Sequence, residues 1–326
     1  MIGAFQAYRV EEHGDAGRGY FRDLTVDALS DGDLLVRVQY AGVNYKDALA
    51  ATGKGKILRR YPCIGGIEAV GTVERSGADG PPVGSTVILH GYGLGVDRDG
   101  GFSPWVRVPG SYATPLPEGL TALEAAAIGV AGHTVALAID LMELNGLAPG
   151  NGPVAVTGAT GGTGSLAVSM LAGLGHEVTA LSRKPDDGFL RGLGAAEVFP
   201  VPDGARKLLE AARFAGGIDT TGGAPLEWLI PSMKQDGVIA AFGNAAGLDL
   251  NTSVLPFILR GVRLIGVNAD TRPPLRPRLW NRLADDLKPR FINDLVNLID
   301  IKQLPEVMDE MIAGRTRGRT LIRFDH

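Results

Sequence analysis

Residues 154–166 read Val154-Ala155-Val156-Thr157-Gly158-Ala159-Thr160-Gly161-Gly162-Thr163-Gly164-Ser165-Leu166. A short apolar run enters a turn that holds four glycines within seven residues, and helix formers leave it. Glycine allows the sharp turn and lets a pyrophosphate approach the backbone amides, while the following helix offers unpaired N–H groups to the anion. The spacing is Gly158-x-x-Gly161-x-x-Gly164 rather than the strict G-x-G-x-x-G. Its place between a strand and a helix is what gives it weight. Thr157, Gly158, Thr160, Gly161, Gly162, Thr163 and Gly164 are therefore candidate cofactor-binding residues.

The next strand, Val178-Thr179-Ala180-Leu181, ends in Ser182-Arg183-Lys184 about 20 residues on. An acid here would hold the ribose 2′-hydroxyl of NAD; a serine followed by two bases suits the 2′-phosphate of NADP. Ser182, Arg183 and Lys184 thus predict NADPH. Strands and helices alternate onward through Ile218-Asp219, Val238–Phe242 and Val262–Val267, the rhythm of a doubly wound parallel sheet. Gly222, Phe242 and Gly243, in the turns after two of these strands, complete the cofactor candidates. A helix is expected over Arg206–Phe214. Before residue 120 the texture differs: short strands such as Leu34–Tyr40, Glu68–Val73 and Val87–Leu89 are punctuated by Gly and Pro. Thr121-Ala122-Leu123-Glu124 is a capping box at the change of texture. Three segments are expected: a β-rich domain over 1–120, a nucleotide domain over 121–267 and a helical C-terminal segment over 268–326.

The bulk numbers fit this reading. Among 326 residues there are 47 glycines, about one in seven and twice the usual share, without a three-residue period. A single cysteine, Cys63, excludes an intrachain disulfide and a cysteine-rich zinc knuckle. Cys63 reads as a small buried apolar residue rather than a nucleophile. The net charge of −4 argues against nucleic acid as a partner. No basic stretch followed by an apolar run opens the chain, and no uninterrupted apolar segment approaches membrane-spanning length, so a cytoplasmic location without membrane contact is expected. No H-x-x-x-H pair, Cys/His cluster or Gly-x-Ser-x-Gly elbow occurs.

Asn44-Tyr45-Lys46-Asp47 gathers four polar or ionisable side chains after a strand. Tyr and Lys can relay protons, and Asn can orient a carbonyl. A helix start with solvated charges explains the same residues equally well.

Val43–Ala50, Leu116–Leu120, Asp219–Leu226, Ile258–Val262 and Ala313–Arg319 together resemble the medium-chain dehydrogenase/reductases that lack zinc, in the branch of acryloyl-CoA reductases and quinone oxidoreductases. That resemblance spans nearly the whole chain. It implies an α/β protein with a GroES-like β-rich catalytic domain and a Rossmann domain, the C-terminal segment returning to the first. It also implies hydride transfer from NADPH to the C=C bond of an α,β-unsaturated carbonyl, an enoyl thioester such as acryloyl-CoA, with a CoA- or carrier-linked small molecule as partner. Alternatives are a quinone or enone oxidoreductase, a reductase of a carrier-bound intermediate, and an NADPH-binding protein without turnover. Zinc-dependent relatives carry Gly-His-Glu where this chain has Gly66-Ile67-Glu68, and a Cys where it has Asn44, so no catalytic metal is expected. Asn44, Tyr45, Lys46, Asp47 and Glu68 are then the catalytic candidates. Lys54, Lys56, Arg59 and Arg60 are candidate phosphate contacts for a CoA ester. The family's edge-to-edge pairing implies a homodimer through Arg263–Val267. Departures from the branch gather at Gly65–Gly71, Gly93–Val96, Gly129–Thr134 and Gly266–Asp270, where substrate would sit.

Overall fold

The computed structural model describes residues 2–14, 16–183, 186–205, 207–270, 274–290 and 292–325. Two compact units are present. The first comprises Met1–Val130, Asp270–Pro277 and Ile292–His326; the second comprises Ala131–Ala269 and Arg278–Phe291. The first break thus falls ten residues beyond the expected 120, and 278–291 packs with the second unit although 268–326 was expected to act as one segment.

In the first unit, a seven-stranded sheet has as its main path Val296–Ile299, Arg319–Arg323, Leu34–Val43, Glu68–Arg75, Thr86–His90 and Ala113–Pro115, with Trp105–Val108 also pairing Leu34–Val43. A second sheet holds Ala16–Leu24, Phe5–His13 and Cys63–Ile64. The core between them is aliphatic, built from Leu34, Val36, Val38, Ile64, Val87 and Leu89 around Phe102. Cys63 lies wholly inside it, and burial pushes its thiol up to about 12, so the side chain is an inert filler. Asp99 is buried beside this core and accepts from Ser30 N–H (2.8 Å), Ser30 Oγ (2.9 Å) and Ile64 N–H (2.8 Å), tying three distant segments together.

The second unit is a six-stranded sheet in the order Glu197–Pro200, Val178–Ser182, Val154–Val156, Phe214–Asp219, Met233–Ala241, Arg263–Gly266. All its pairings are parallel. Numbered along the chain the order is 3-2-1-4-5-6, the doubly wound pattern that binds ligands at the carboxyl ends of its strands. Val154, Ala155, Val156 and Ala180 are inaccessible, as central strands covered on both faces require.

One expected element is absent. Of the helix expected over Arg206–Phe214, Arg206 lies outside the described residues, 207–209 form bends, 210–213 are irregular and Phe214 opens a strand. Their backbone donors are drawn elsewhere: Glu210 N–H bonds Pro231 O and Arg213 N–H bonds Ser232 O, so an i→i−4 ladder cannot form. The Thr121–Glu124 box does form, with Thr121 N–H on Glu124 Oε2 (2.8 Å) and Glu124 N–H on Thr121 Oγ1 (3.2 Å). The helix it opens, Ala122–Leu144, is the one candidate among the described residues that is long and apolar enough to cross a membrane. Its most apolar window is 89% buried within the protein, the mark of a core helix, and Gly129 interrupts its helical geometry.

Replacing Asp99 by Ala strands three donors in the core. We expect a loss of about 3 kcal/mol or more in urea unfolding. Asp99→Asn, which keeps one acceptor, is expected to lose less.

Candidate active site and nucleotide turn

Asn44 stands immediately before the helix Tyr45–Ala51. Asp47, three residues on, reaches back: its Oδ2 accepts Asn44 N–H at 2.9 Å. Its Oδ1 accepts Gly66 N–H (3.2 Å) and Ile67 N–H (3.1 Å), so one carboxylate fixes both the helix start and the entry to strand Glu68–Arg75. Burial pushes the Asp47 carboxyl up to about 7; the nearby Glu68 charge adds to this, and the Asn44 and Ile67 amides oppose it.

Glu68 and Arg319 form a buried ion pair through Oε1 and Nη2. Asn44 bridges both partners. Its Nδ2 donates to Glu68 Oε1 at 2.9 Å, and its Oδ1 accepts Arg319 Nη1 at 2.9 Å. Arg319 Nε donates to Ala127 O at 2.9 Å. Glu68 Oε2 accepts Val130 N–H, an amide turned toward it because Gly129 leaves the helical conformation at φ +49°. A Cβ at Gly129 would collide with that carboxylate, so both the backbone angle and the space require glycine there.

Of the catalytic candidates, Asn44, Asp47 and Glu68 therefore lie in one network. Tyr45 is half-buried next to it, and Lys46 is exposed. Arg319 was not singled out by sequence. Its only local signal is a cation opening an apolar strand, Arg319-Thr320-Leu321-Ile322, too common a pattern to identify a partner. Lys54, Lys56, Arg59 and Arg60 sit in an exposed loop; Arg60 Nη1 bonds Ser30 Oγ (3.1 Å) and Arg59 lies 3.4 Å from Asp97. Among the described residues no group of three or more His, Cys, Asp and Glu side chains gathers as a metal site.

In the second unit the glycine turn leaves strand Val154–Val156 and leads into the helix Gly162–Gly173. Gly158 has φ +59°, and a Cβ on Gly164 would strike the Gly158 carbonyl, so the helix start can lie against the turn only with glycine at 164. The first helical amides, Gly162 to Gly164, are left for an anion. Thr160 Oγ1 lies 3.2 Å from the hydroxyl of Ser182, which ends the neighbouring strand. Arg183 follows, exposed; Lys184 lies outside the described residues. Together these residues fit a dinucleotide carrying a phosphate at its ribose.

Asp219 organises the floor of this edge. Its Oδ1 accepts Thr157 Oγ1 (2.7 Å) and Thr221 Oγ1 (3.3 Å), and its Oδ2 accepts Gly222 N–H (2.8 Å). Its backbone oxygen accepts Phe242 N–H at 3.1 Å. Burial pushes the Asp219 carboxyl above the usual carboxylate range, against the pull of these donors. Gly243 passes so close to Thr220 that a Cβ there would overlap its carbonyl. Thr157, Gly222, Phe242 and Gly243 are thus parts of one strand-end shelf.

Two measurements test the first network. Glu68→Gln leaves the Arg319 charge buried without its anion, so we expect a stability loss of about 3–5 kcal/mol by denaturant unfolding. For Asp47 the sign runs the other way from a surface acid. Its folded value of about 7 lies above the ordinary 3.8, so its contribution is fully present below pH ~4 and is lost as pH rises through 7. Asp47→Asn should flatten the stability profile between pH 4 and 8; an unchanged slope refutes the assignment.

Residues 30–118 match the alcohol dehydrogenase GroES-like domain. Over 98% of this chain and 98% of its own length, acrylyl-CoA reductase AcuI of Ruegeria pomeroyi is 36% identical. A Bacillus subtilis protein named as a quinone oxidoreductase, YhfP, is 38% identical over 99% of this chain and all of its own. The crystal structure of B. subtilis yhfP with NAD bound superposes with a TM-score of 0.94 at 37% identity, over 99% of this chain and all of that one. The yhdH oxidoreductase of Salmonella enterica, in complex with NADP, gives 0.94 at 39% identity over 98% of this chain and all of that one. With a GroES-like first unit, a 3-2-1-4-5-6 parallel sheet and full-length likeness at this level, the chain belongs to the medium-chain dehydrogenase/reductase family, in the branch of the acrylyl-CoA reductases and YhfP-type quinone oxidoreductases.

Proposed function

We propose that this protein is an NADPH-dependent oxidoreductase that reduces the C=C bond of an α,β-unsaturated carbonyl, with an enoyl thioester such as acryloyl-CoA as substrate. The observation that carries the reading is the full-length likeness to a relative named acrylyl-CoA reductase. Ser182 and Arg183 at the end of the second strand support NADPH as coenzyme. NADPH, when bound, supplies the hydride that adds to Cβ. Negative charge then develops on the carbonyl oxygen, and a proton reaches Cα.

The chain's own groups divide by their bonding. Asn44 gives one Nδ2 proton to Glu68 and keeps a second for a ligand oxygen, its plane held by Arg319. Tyr45 offers a phenolic O–H beside it. Preorganised donors of this kind act most strongly where charge develops. Lys46, exposed to water, is suited to resupply protons. Asp47 and Glu68 hold the constellation rather than touch substrate, because their oxygens are already engaged by amides, Asn44 and Arg319. No metal enters this scheme. A homodimer through the sheet edge Arg263–Gly266 completes the reading, and light scattering at twice 34.1 kDa checks it.

Stopped-flow oxidation of NADPH with acryloyl-CoA, crotonyl-CoA, free enones and quinones tests the assignment. Acryloyl-CoA should give the highest kcat/KM, and Tyr45→Phe should lower kcat about 10–100-fold with the KM for NADPH unchanged. Arg183→Ala should raise the KM for NADPH and leave that for NADH alone. A quinone turned over far faster than any thioester would favour the activity named for YhfP. NADPH bound tightly but oxidised by none of these acceptors would mean a binding protein.

A further inference from the structure

Arg276 lies in the first turn of the helix Leu275–Ala284 and is only 3% exposed, within the first unit. Its guanidinium is fixed on two sides. Nη1 donates to His90 O at 2.9 Å, and Cζ sits 4.5 Å over the Tyr92 ring. Tyr92 stacks on Tyr112 at 4.1 Å and 11°, and Arg98 Cζ lies 5.0 Å over the Tyr112 ring. This pile of two arginines and two tyrosines sets the guanidinium plane. The remaining edge, Nε and Nη2, is buried and has no hydrogen-bond partner among the described residues. Those two N–H groups point the same way and form the fork that takes a carboxylate in bidentate fashion.

A buried cation with two unfilled donors is expensive to keep. Two further features bear on this edge. Gly91, at φ +73°, lies so near that a Cβ there would stand 2.6 Å from Nη2. The same Cβ would stand 3.0 Å from Asp270 Oδ1, so glycine leaves room between the Arg276 fork and that carboxylate. His90, whose carbonyl anchors Arg276, is the cross-strand partner of Glu68, so the fork lies one strand away from the Asn44–Glu68–Arg319 network. Asp270 acts on the guanidinium only through space. With that charge partly balanced, a monoanion fits the fork better than a phosphate dianion. Sequence departures at Gly93–Val96 and at Asp270 thus fall on the two segments that frame Arg276.

We propose that the Nε/Nη2 edge of Arg276 is a recognition point for a carboxylate, so that an unsaturated carbonyl compound carrying a carboxylate is preferred over the same skeleton without one; none of the acceptors named above carries one. This rests on the reductase reading and names its substrate class. The edge is closed to solvent, and Tyr92, at φ +52° between Gly91 and Gly93, adjoins it.

The test uses trans-4-oxopent-2-enoate and its methyl ester as paired probes for NADPH oxidation by the wild type, R276K and R276M. The wild type should prefer the acid by about tenfold or more in kcat/KM. R276M should lose that ratio through the KM for the acid, and R276K, a point charge without the fork, should retain only part of it. An acid-to-ester ratio near one in the wild type overturns the proposal; so does a ratio unchanged in R276M. If R276M does not fold, the wild-type ratio and R276K decide. If neither probe oxidises NADPH, the acceptor panel above decides the reductase reading by itself. Thermal shift with succinate then tests the fork itself: stabilisation of the wild type and not of R276K supports the site, and no stabilisation overturns it.

Discussion

The buried ion pair between Glu68 and Arg319 is the constraint on which the first unit's site depends. Two charges removed from water are tolerable only when every remaining donor and acceptor finds a partner. Here Asn44 bridges the pair, Ala127 O takes Arg319 Nε, and the Val130 amide takes the second Glu68 oxygen. Each of these demands shapes backbone elsewhere. Gly129 must leave the helix, Asn44 must stand before a helix that Asp47 starts, and strand Arg319–Arg323 must lie beside Leu34–Val43. The chemistry proposed for Asn44 is therefore a by-product of a charge that has to be satisfied.

The second unit solves a different problem with the same economy. Its strand ends must present amides to an anion, so the residues there are small and the anchor is set below. Asp219 gathers Thr157, Thr221 and Gly222 into a shelf, which leaves the glycine turn free to meet a ligand with its backbone. A buried acid whose burial favours the protonated form is held in place here by donors rather than by a cation.

What could be read from sequence was local. The glycine turn, the strand ending in Ser182 and the Thr121–Glu124 box each declare themselves within a dozen residues, because turn chemistry and capping act at short range. The Asn44–Asp47 spacing also fits a helix start, and the structure shows that start: the Asp47 carboxylate caps the helix and ties it to Gly66 and Ile67. Residues 207–213 misled because helix propensity is a weak prior, and their amides found carbonyls at 231 and 232 instead. Arg319 and Arg276 were invisible as site residues, since nothing within a few positions of either reveals a partner at Glu68 or a carbonyl at His90.

Glu68 and Arg319 are separated by 251 positions. On a ribosome adding ~5–20 residues per second, the acid waits about 10–50 s for its base. During that interval the strand around Glu68 can pair with its neighbours but its carboxylate must stay hydrated or protonated, which keeps the pocket open. Arg319–Arg323, the last strand among the described residues, is thus the one that takes the Glu68 carboxylate out of water.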